Sequence, residues 1–219
     1  MNTIAPPLDA VAADPGAHAR ALYRQRAGIY DLELAAFEPI RQAAIERLGL
    51  QTGQIVLDVG CGTGLSFAPL LRGVGPRGHV IGIDQSPDML ERARQRIDNQ
   101  GWRNVRLVEA SAGVAPIGLQ ADAAFLHFTH DIVRSPKDLA HLCKHLRPGA
   151  SVVATGLKWA APWLWPVNAY VLSAALYSTS SLEGLTAPWS ELAPLLDDLQ
   201  VSSTLLDGGY IASGRLRVS

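Results

Sequence analysis

A chain of 219 residues with 48% hydrophobic and 18% charged residues carries enough apolar material for one core, which excludes disorder as a description of the whole. A formal charge of −1 supplies no field for a polyphosphate, so no nucleic-acid partner is expected. Cys61 and Cys143 show neither zinc-site spacing nor a disulfide framework, which predicts a reducing, cytoplasmic setting.

Residues 1–18 are rich in Pro and Ala, with no basic region ahead of an apolar one, and read as a loose arm rather than a secretory signal. Residues 19–50 follow as a helical cap: two helices joined near Gly28 to Asp31, the second with Ile40, Ala44 and Leu48 on one face and a stop at Gly49. Strand and helix then alternate. "IVLDVG" (Ile55 to Gly60) predicts a strand, "LSFAPLLRGV" a helix and "HVIGID" (His79 to Asp84) a second strand. Ser86 and Pro87 are N-cap and first residue of the next helix, which buries Leu90, Ala93 and Ile97 and stops at Gly101.

"NVRLVEA" predicts a third strand and "DAAFLHF" (Asp122 to Phe128) a fourth. Ser135-Pro136 opens a helix with Leu139, Leu142, Cys143 and Leu146 on one face, ended by "RPGA". "SVVATGL" (Ser151 to Leu157) is the fifth strand. The segment Trp159 to Leu182 has no charge, but Pro162, Pro166 and Asn168 argue against a bilayer span. "PWSELAPLLDDL" predicts a last helix, and "QVSSTLL" with "GYIASGRLRV" an antiparallel pair around Asp207-Gly208-Gly209. The expected architecture is a single domain: an open, doubly wound, Rossmann-like α/β fold with a mostly parallel seven-stranded sheet, a C-terminal antiparallel hairpin and an N-terminal helical cap.

Gly60, Gly62 and Gly64 lie between the first strand and its helix, where a chain must turn sharply and approach a ligand without a Cβ. A dinucleotide site, the competing reading, prefers G-x-G-x-x-G, whereas this spacing is G-x-G-x-G with Asp58 inside the strand. That acid repels a pyrophosphate but suits an ammonium group, and the helix N-terminus still receives a carboxylate. Asp84 ends the second strand, where such folds place a carboxylate on ribose hydroxyls. A zwitterion joined to a nucleoside is S-adenosyl-L-methionine.

"VLDVGCGTG" followed by "VIGIDQSPDMLERAR" resembles the class I S-adenosylmethionine-dependent methyltransferases, nearest to the ubiquinone/menaquinone-biosynthesis and phospholipid-methylating types, over roughly Tyr23 to Leu157. The resemblance implies that Gly60, Gly62 and Gly64 wrap the methionine part, with Asp58 near its amino end and Asp84 on the ribose. It also implies that Gln85 and Met89 flank the adenosine and that Tyr30 covers the methionine end; packing between helices is the other role for Tyr30. Where the family commonly has an acid for the adenine, this chain has Ser111 and Ala112, a weaker hydroxyl acceptor and a backbone N–H.

The acceptor is expected beyond the ends of the first, fourth and fifth strands. "HFTHD" offers His130 as first and His127 as second candidate for general base, against a role for each as a hydrogen-bonded packing histidine. As a metal pair they lack a third ligand. Trp159, Trp163, Trp165, Tyr170 and Tyr177, within the lid or acceptor segment 158–190, are candidates for binding the substrate; a lipid interface and plain packing compete. Only Lys158 adds basic charge beside them, which disfavours membrane attachment.

The expected activity is methyl transfer to a small apolar or aromatic molecule. Two alternatives are N-methylation of a phosphatidylethanolamine-like lipid and, in another class, a noncatalytic protein that binds S-adenosylmethionine.

Overall fold

The computed structural model describes residues 37–179 and 181–218. The arm, the first cap helix and Tyr30 lie outside the described residues. The first described helix, α1 (Glu38–Leu48), ends on Gly49 at φ 58 and buries Ile40, Ala44 and Leu48, as their spacing predicts.

Seven strands form one sheet: β1 (Ile55–Val59), β2 (His79–Asp84), β3 (Val105–Glu109), β4 (Ala121–His127), β5 (Leu146–Leu157), β6 (Leu196–Thr204) and β7 (Gly209–Leu216). Their order is β3-β2-β1-β4-β5-β7-β6, with β7 antiparallel to both neighbours and the other pairs parallel. Between β1 and β4 the winding reverses. That switch point opens a crevice outside the carboxyl ends of the two strands.

The strands read as apolar runs because both faces are covered. On one face Val56, Phe125 and Val153 pack with Ile40, Ala44 and Leu48 of α1 and with Phe67, Leu70 and Val74 of α2 (Phe67–Val74). On the other, Leu57, Val59, Leu126 and Ala154 meet Val133 of the one-turn α4 (His130–Val133) and Leu139 and Leu142 of α5 (Pro136–Cys143). Helix α3 (Pro87–Gln100) starts as its sequence predicts: the Ser86 hydroxyl accepts from the Met89 N–H at 3.4 Å, and Gly101 closes it at φ 66.

Three expectations are corrected. Leu146 and "RPGA" belong to β5, not to the preceding helix: Leu146 pairs with Ala121, and the residues before Ser151 form a bulge. The predicted helix over 188–199 is replaced by 3-10 turns at Pro188–Glu191 and Ala193–Leu195 followed by β6. Pro194 cannot donate in a helix, and β7 offers Leu196 onward a complete ladder instead.

The hairpin is present, but its turn is longer than an Asp-Gly-Gly link. Leu205, Leu206 and Asp207 all have positive φ, at 50, 52 and 76°. Asp207 secures the turn by receiving Lys158 Nζ at 2.5 Å, the Ser203 hydroxyl at 2.6 Å and the Ala161 N–H at 2.9 Å.

Within the Trp-rich segment, α6 (Trp165–Ser178) packs Val171 and Ala175 against Leu157 and Leu185. Among the described residues no helix is long and apolar enough to cross a membrane.

Candidate functional site

The turn after β1 holds Gly60, Gly62 and Gly64 at φ 69, 54 and 78°, all in the left-handed region. At Gly60 a second demand acts, since a Cβ there would sit 2.4 Å from Thr129 Cγ2. The turn is pinned to β2: Gly60 N–H and Cys61 N–H donate to Ile83 O at 2.8 and 3.0 Å. Asp84 Oδ2 receives the Gly62 N–H at 2.8 Å and Oδ1 the Ser86 N–H at 2.9 Å. Asp84 therefore organises the glycine turn, a structural role that sequence reasoning did not assign. Burial pushes its pKa up while those amides pull it back.

Strand alternation puts Asp58, Phe125, His127 and Thr155 on the face that α1 covers, with Asp58 beside Phe125 and His127 beside Thr155 in register. Between this face and the glycine turn lies a cavity of about 40 Å³ lined by Arg41, Asp58, Gly60, Cys61, His127 and Phe128 among others. Among the described residues, three polar atoms sealed from solvent here have no hydrogen-bond partner: Arg41 Nε, Asp58 Oδ2 and His127 Nε2. Each such atom costs about 1–3 kcal/mol unless a ligand or water completes it.

The charges are as closely confined as the atoms. Asp58 and Arg41 are each 2% exposed, and Arg41 also pairs through Nη1 with Glu38. Burial raises the Asp58 pKa to about 7, against the pull of the Arg41 cation and with an added push from Asp84. Burial, reinforced by Arg41, lowers that of His127 to about 3, so this imidazole stays neutral.

His127 Nδ1 is 2.7 Å from Thr155 Oγ1, and its ring lies parallel to Phe125 with centroids 5.5 Å apart. Phe128, next in the chain, adopts φ 56 and packs on Phe37 with ring centroids 4.6 Å apart. A non-glycine residue in that region at the end of β4 marks a turn that its surroundings impose.

His130 is buried elsewhere, its Nε2 meeting Glu183 O at 3.0 Å, so it ties α4 to the Trp-rich segment and does not line the cavity. Trp159 packs beside the α6 cluster, whereas Trp163, Trp165 and Tyr170 are 78, 72 and 48% exposed. Tyr177 belongs to α6, and its side chain lies outside the description. Gln85 and Ser111 are exposed, while Met89 and Ala112 are buried.

Sequence reasoning missed Arg41. The signal was available, because Arg41 precedes Ala44, Ile45 and Leu48 at i+3, i+4 and i+7 on the buried stripe of α1. A cation on an apolar stripe needs a partner: here Nη1 pairs with Glu38, and the guanidinium lines the same cavity as Asp58, close enough for its charge to pull on that carboxyl. A carboxylate and a guanidinium side by side, each with an unpartnered atom, fit a zwitterion better than a pyrophosphate. Beside them stands Asp84, the last residue of β2, at the carboxyl end of the sheet.

A family described as a methyltransferase domain matches residues 56–149. Aklanonic acid methyltransferase DauC of Streptomyces sp. (strain C5) is 36% identical over 91 residues, 41% of this chain and 41% of its own. 2-Phytyl-1,4-naphtoquinone methyltransferase of Nostoc sp. (strain PCC 7120) is 33% identical over 139 residues, 60% of this chain and 61% of its own. The chain thus spans between 41 and 61% of the length of these two curated relatives.

Among solved structures, a SAM-dependent methyltransferase from Aquifex aeolicus superposes with a TM-score of 0.56 at 23% identity, covering 93% of this chain and 98% of its own. The N-methyltransferase NodS from Bradyrhizobium japonicum WM9, in complex with S-adenosyl-L-homocysteine, gives 0.65 at 16% identity, covering 90 and 97%. At these identities the likeness is one of fold.

Proposed function

We propose that this chain is a class I S-adenosylmethionine-dependent methyltransferase and that it transfers a methyl group from S-adenosyl-L-methionine to a small apolar or aromatic molecule, a reading supported by the methyltransferase domain matched over residues 56–149 and by its methyltransferase relatives. The observation that carries the proposal is the set of buried atoms without a partner among the described residues, Arg41 Nε, Asp58 Oδ2 and His127 Nε2, beside a glycine turn held by Asp84. In this reading Asp58 takes the donor's ammonium and Gly60, Gly62 and Gly64 let the backbone close around its methionine part. Asp84 meets the ribose, Gln85 and Met89 flank the adenosine, and Ser111 and the Ala112 N–H serve the adenine. Tyr30 covers the methionine end.

When bound, the donor would supply an electrophilic sulfonium methyl, with the neutral thioether S-adenosylhomocysteine as leaving group. The protein's contribution is alignment and exclusion of water, which suffice where the leaving group is this good. Neither histidine acts as general base in this reading: His127 resists protonation and His130 is engaged with Glu183 O.

Acceptors with aromatic heads are supported by relatives named for a naphtoquinone and for aklanonic acid. The aromatic residues of 158–190, Trp159, Trp163, Trp165, Tyr170 and Tyr177, border the acceptor and close over it with the cap. Both cysteines are free, which supports a cytoplasmic enzyme.

The test is incubation of the purified protein with methyl-labelled donor and a panel of naphthols, hydroxyquinones and polyketide acids. Label on one of them is expected. S-Adenosylhomocysteine binding without label on any of them would instead favour a noncatalytic binding protein. A second reading, methylation of a lipid amine, is favoured by the outward projection of Trp163 and Trp165. It requires label in the organic phase only when phosphatidylethanolamine vesicles are present.

A further inference from the structure

We propose that α6 is the seam of a symmetric dimer, its outer stripe packing antiparallel on the same stripe of a second copy of this chain. This surface contains no group of the donor site, so it stands or falls apart from the methyltransferase reading.

Helix α6 has two apolar faces, of which its own chain covers one. Val171 and Ala175 are buried with Leu157 and Leu185, and Val167 and Ala174 pack beside them. On the other side Trp165, Ala169, Leu172 and Leu176 recur at steps of four, three and four residues, the spacing of a coiled-coil seam. At about 3.6 residues per turn these four fall within about 60° of one another on the helix. All four are exposed, Trp165 at 72%, Leu172 at 39% and Leu176 at 66%. A helix that is apolar all round belongs inside a protein, and this one leaves its second face in water.

The area is on the scale of an interface. Trp163, two residues ahead of the helix, Trp165 and Tyr170 are 78, 72 and 48% exposed; at about 200 Å² for a whole aromatic side chain they leave about 400 Å² in water. Leu172, Leu176, Pro166 and Ala169 add to it. The largest apolar patch on a monomer is about 300–600 Å², and a stable interface takes about 800 Å² from each partner.

Charge and shape select the partner. From Trp159 to Leu182 the chain has no Asp, Glu, Lys or Arg, so two copies of α6 meet without like-charge repulsion. Helices that lie on a bilayer carry Lys and Arg along their polar side, whereas here the neighbouring Lys158 is bound to Asp207. A two-fold contact sets residue i on residue j and j on i. Antiparallel about a point between Tyr170 and Val171, the stripe sets Trp165 on Leu176 of the second copy and Ala169 on its Leu172, large against small at the centre, with the helix dipoles opposed. A parallel pairing would set Trp165 on Trp165 and Leu172 on Leu172, bulk against bulk, with the dipoles aligned.

Sedimentation velocity and light scattering on the full chain, without lipid, test the seam. Wild-type protein is expected at twice the chain mass over a hundredfold range of concentration. Leu172→Glu changes a side chain that its own fold leaves in water, so it is expected to keep the far-ultraviolet circular dichroism spectrum and to weaken self-association a hundredfold or more. A charge pair reads the register. Trp165→Glu and Leu176→Lys should each be monomeric alone and form heterodimers when mixed, because one junction then joins the two introduced charges and the other keeps Trp165 on Leu176.

Wild-type protein at the mass of one chain throughout overturns the proposal, whether or not the variants fold. A dimer that Leu172→Glu leaves intact also overturns it, by placing the contact on another face. Wild-type monomer that pellets with phosphatidylcholine vesicles gives the stripe to a lipid surface instead. Wild-type monomer whose melting midpoint falls on Leu172→Glu gives it to a segment of the same chain within residues 1–36. Two monomeric variants that fail to associate when mixed overturn the antiparallel register.

Discussion

Asp58→Asn should stabilise the donor-free protein increasingly as pH rises, at the expense of donor binding. Asp58 is held protonated up to about pH 7 in the fold, against a reference value of 3.8 for an exposed aspartate. Across that window the folded state binds more protons than the unfolded state, so wild-type stability falls as pH climbs from about 4 to about 7. The interval, at about 1.4 kcal/mol per pH unit, corresponds to about 4 kcal/mol of stability that the asparagine variant does not lose.

A buried amide with unmet hydrogen bonds costs a roughly constant 1–3 kcal/mol, so the pH dependence of the difference, not its absolute size, carries the signal. For a chain of this length 1 kcal/mol moves the thermal midpoint by about 2–4 °C. The midpoint of the variant relative to wild type should therefore rise by about 10 °C between pH 4 and pH 8. Melting curves at five pH values measure this directly, and saturating S-adenosylhomocysteine should flatten the wild-type dependence by adding its ammonium to the pull of Arg41 on the carboxylate. Curves for the two proteins that run parallel from pH 4 to pH 8 would refute the claim that burial raises the Asp58 pKa to about 7.

Other substitutions test the turn and the hairpin. Gly60→Ala combines a left-handed φ of 69 with a 2.4 Å approach to Thr129 Cγ2, so it should lower stability by more than about 2 kcal/mol in chemical denaturation. Adding Thr129→Ser should recover the steric part and leave about 1–2 kcal/mol from the backbone. Asp84→Ala removes the acceptor of the Gly62 and Ser86 amides; calorimetry should show S-adenosylhomocysteine affinity down by tenfold or more and scanning fluorimetry a lower midpoint. The Lys158 and Ser203 side chains hold the Asp207 carboxyl down to about pKa 2. Its contribution is present above about pH 4 and lost as pH falls towards 2, so Asp207→Asn should lower the melting midpoint at pH 7 and leave it unchanged at pH 2.

Most strands and several boundaries were legible in the chain because the signals are contiguous. Ser86-Pro87 and Gly101 bracket α3, Gly49 ends α1, and the apolar runs of β1, β2 and β4 sit within a residue of their predicted limits. Where prediction failed, an interaction distant in sequence outweighed a local one. The pairing of Leu196 onward with β7 displaced a helix that Pro194 had already weakened, and the pairing of Leu146 with Ala121 drew "RPGA" into a bulge.

By itself the sequence determined the elements from which the proposed donor site is built: a glycine turn between strand and helix, an acid within the first strand and another ending the second. These depend on φ preferences and strand periodicity, properties of neighbouring residues. Only the tertiary structure decided that Arg41 lines the same cavity as Asp58, that His127 turns into the cavity while His130 reaches Glu183, and that Asp84 braces the turn as well as standing at a strand end. Those facts follow from strand order and from how α1 lies across the sheet. They are set by which apolar faces must be buried together, and no local spacing in the chain encodes that choice.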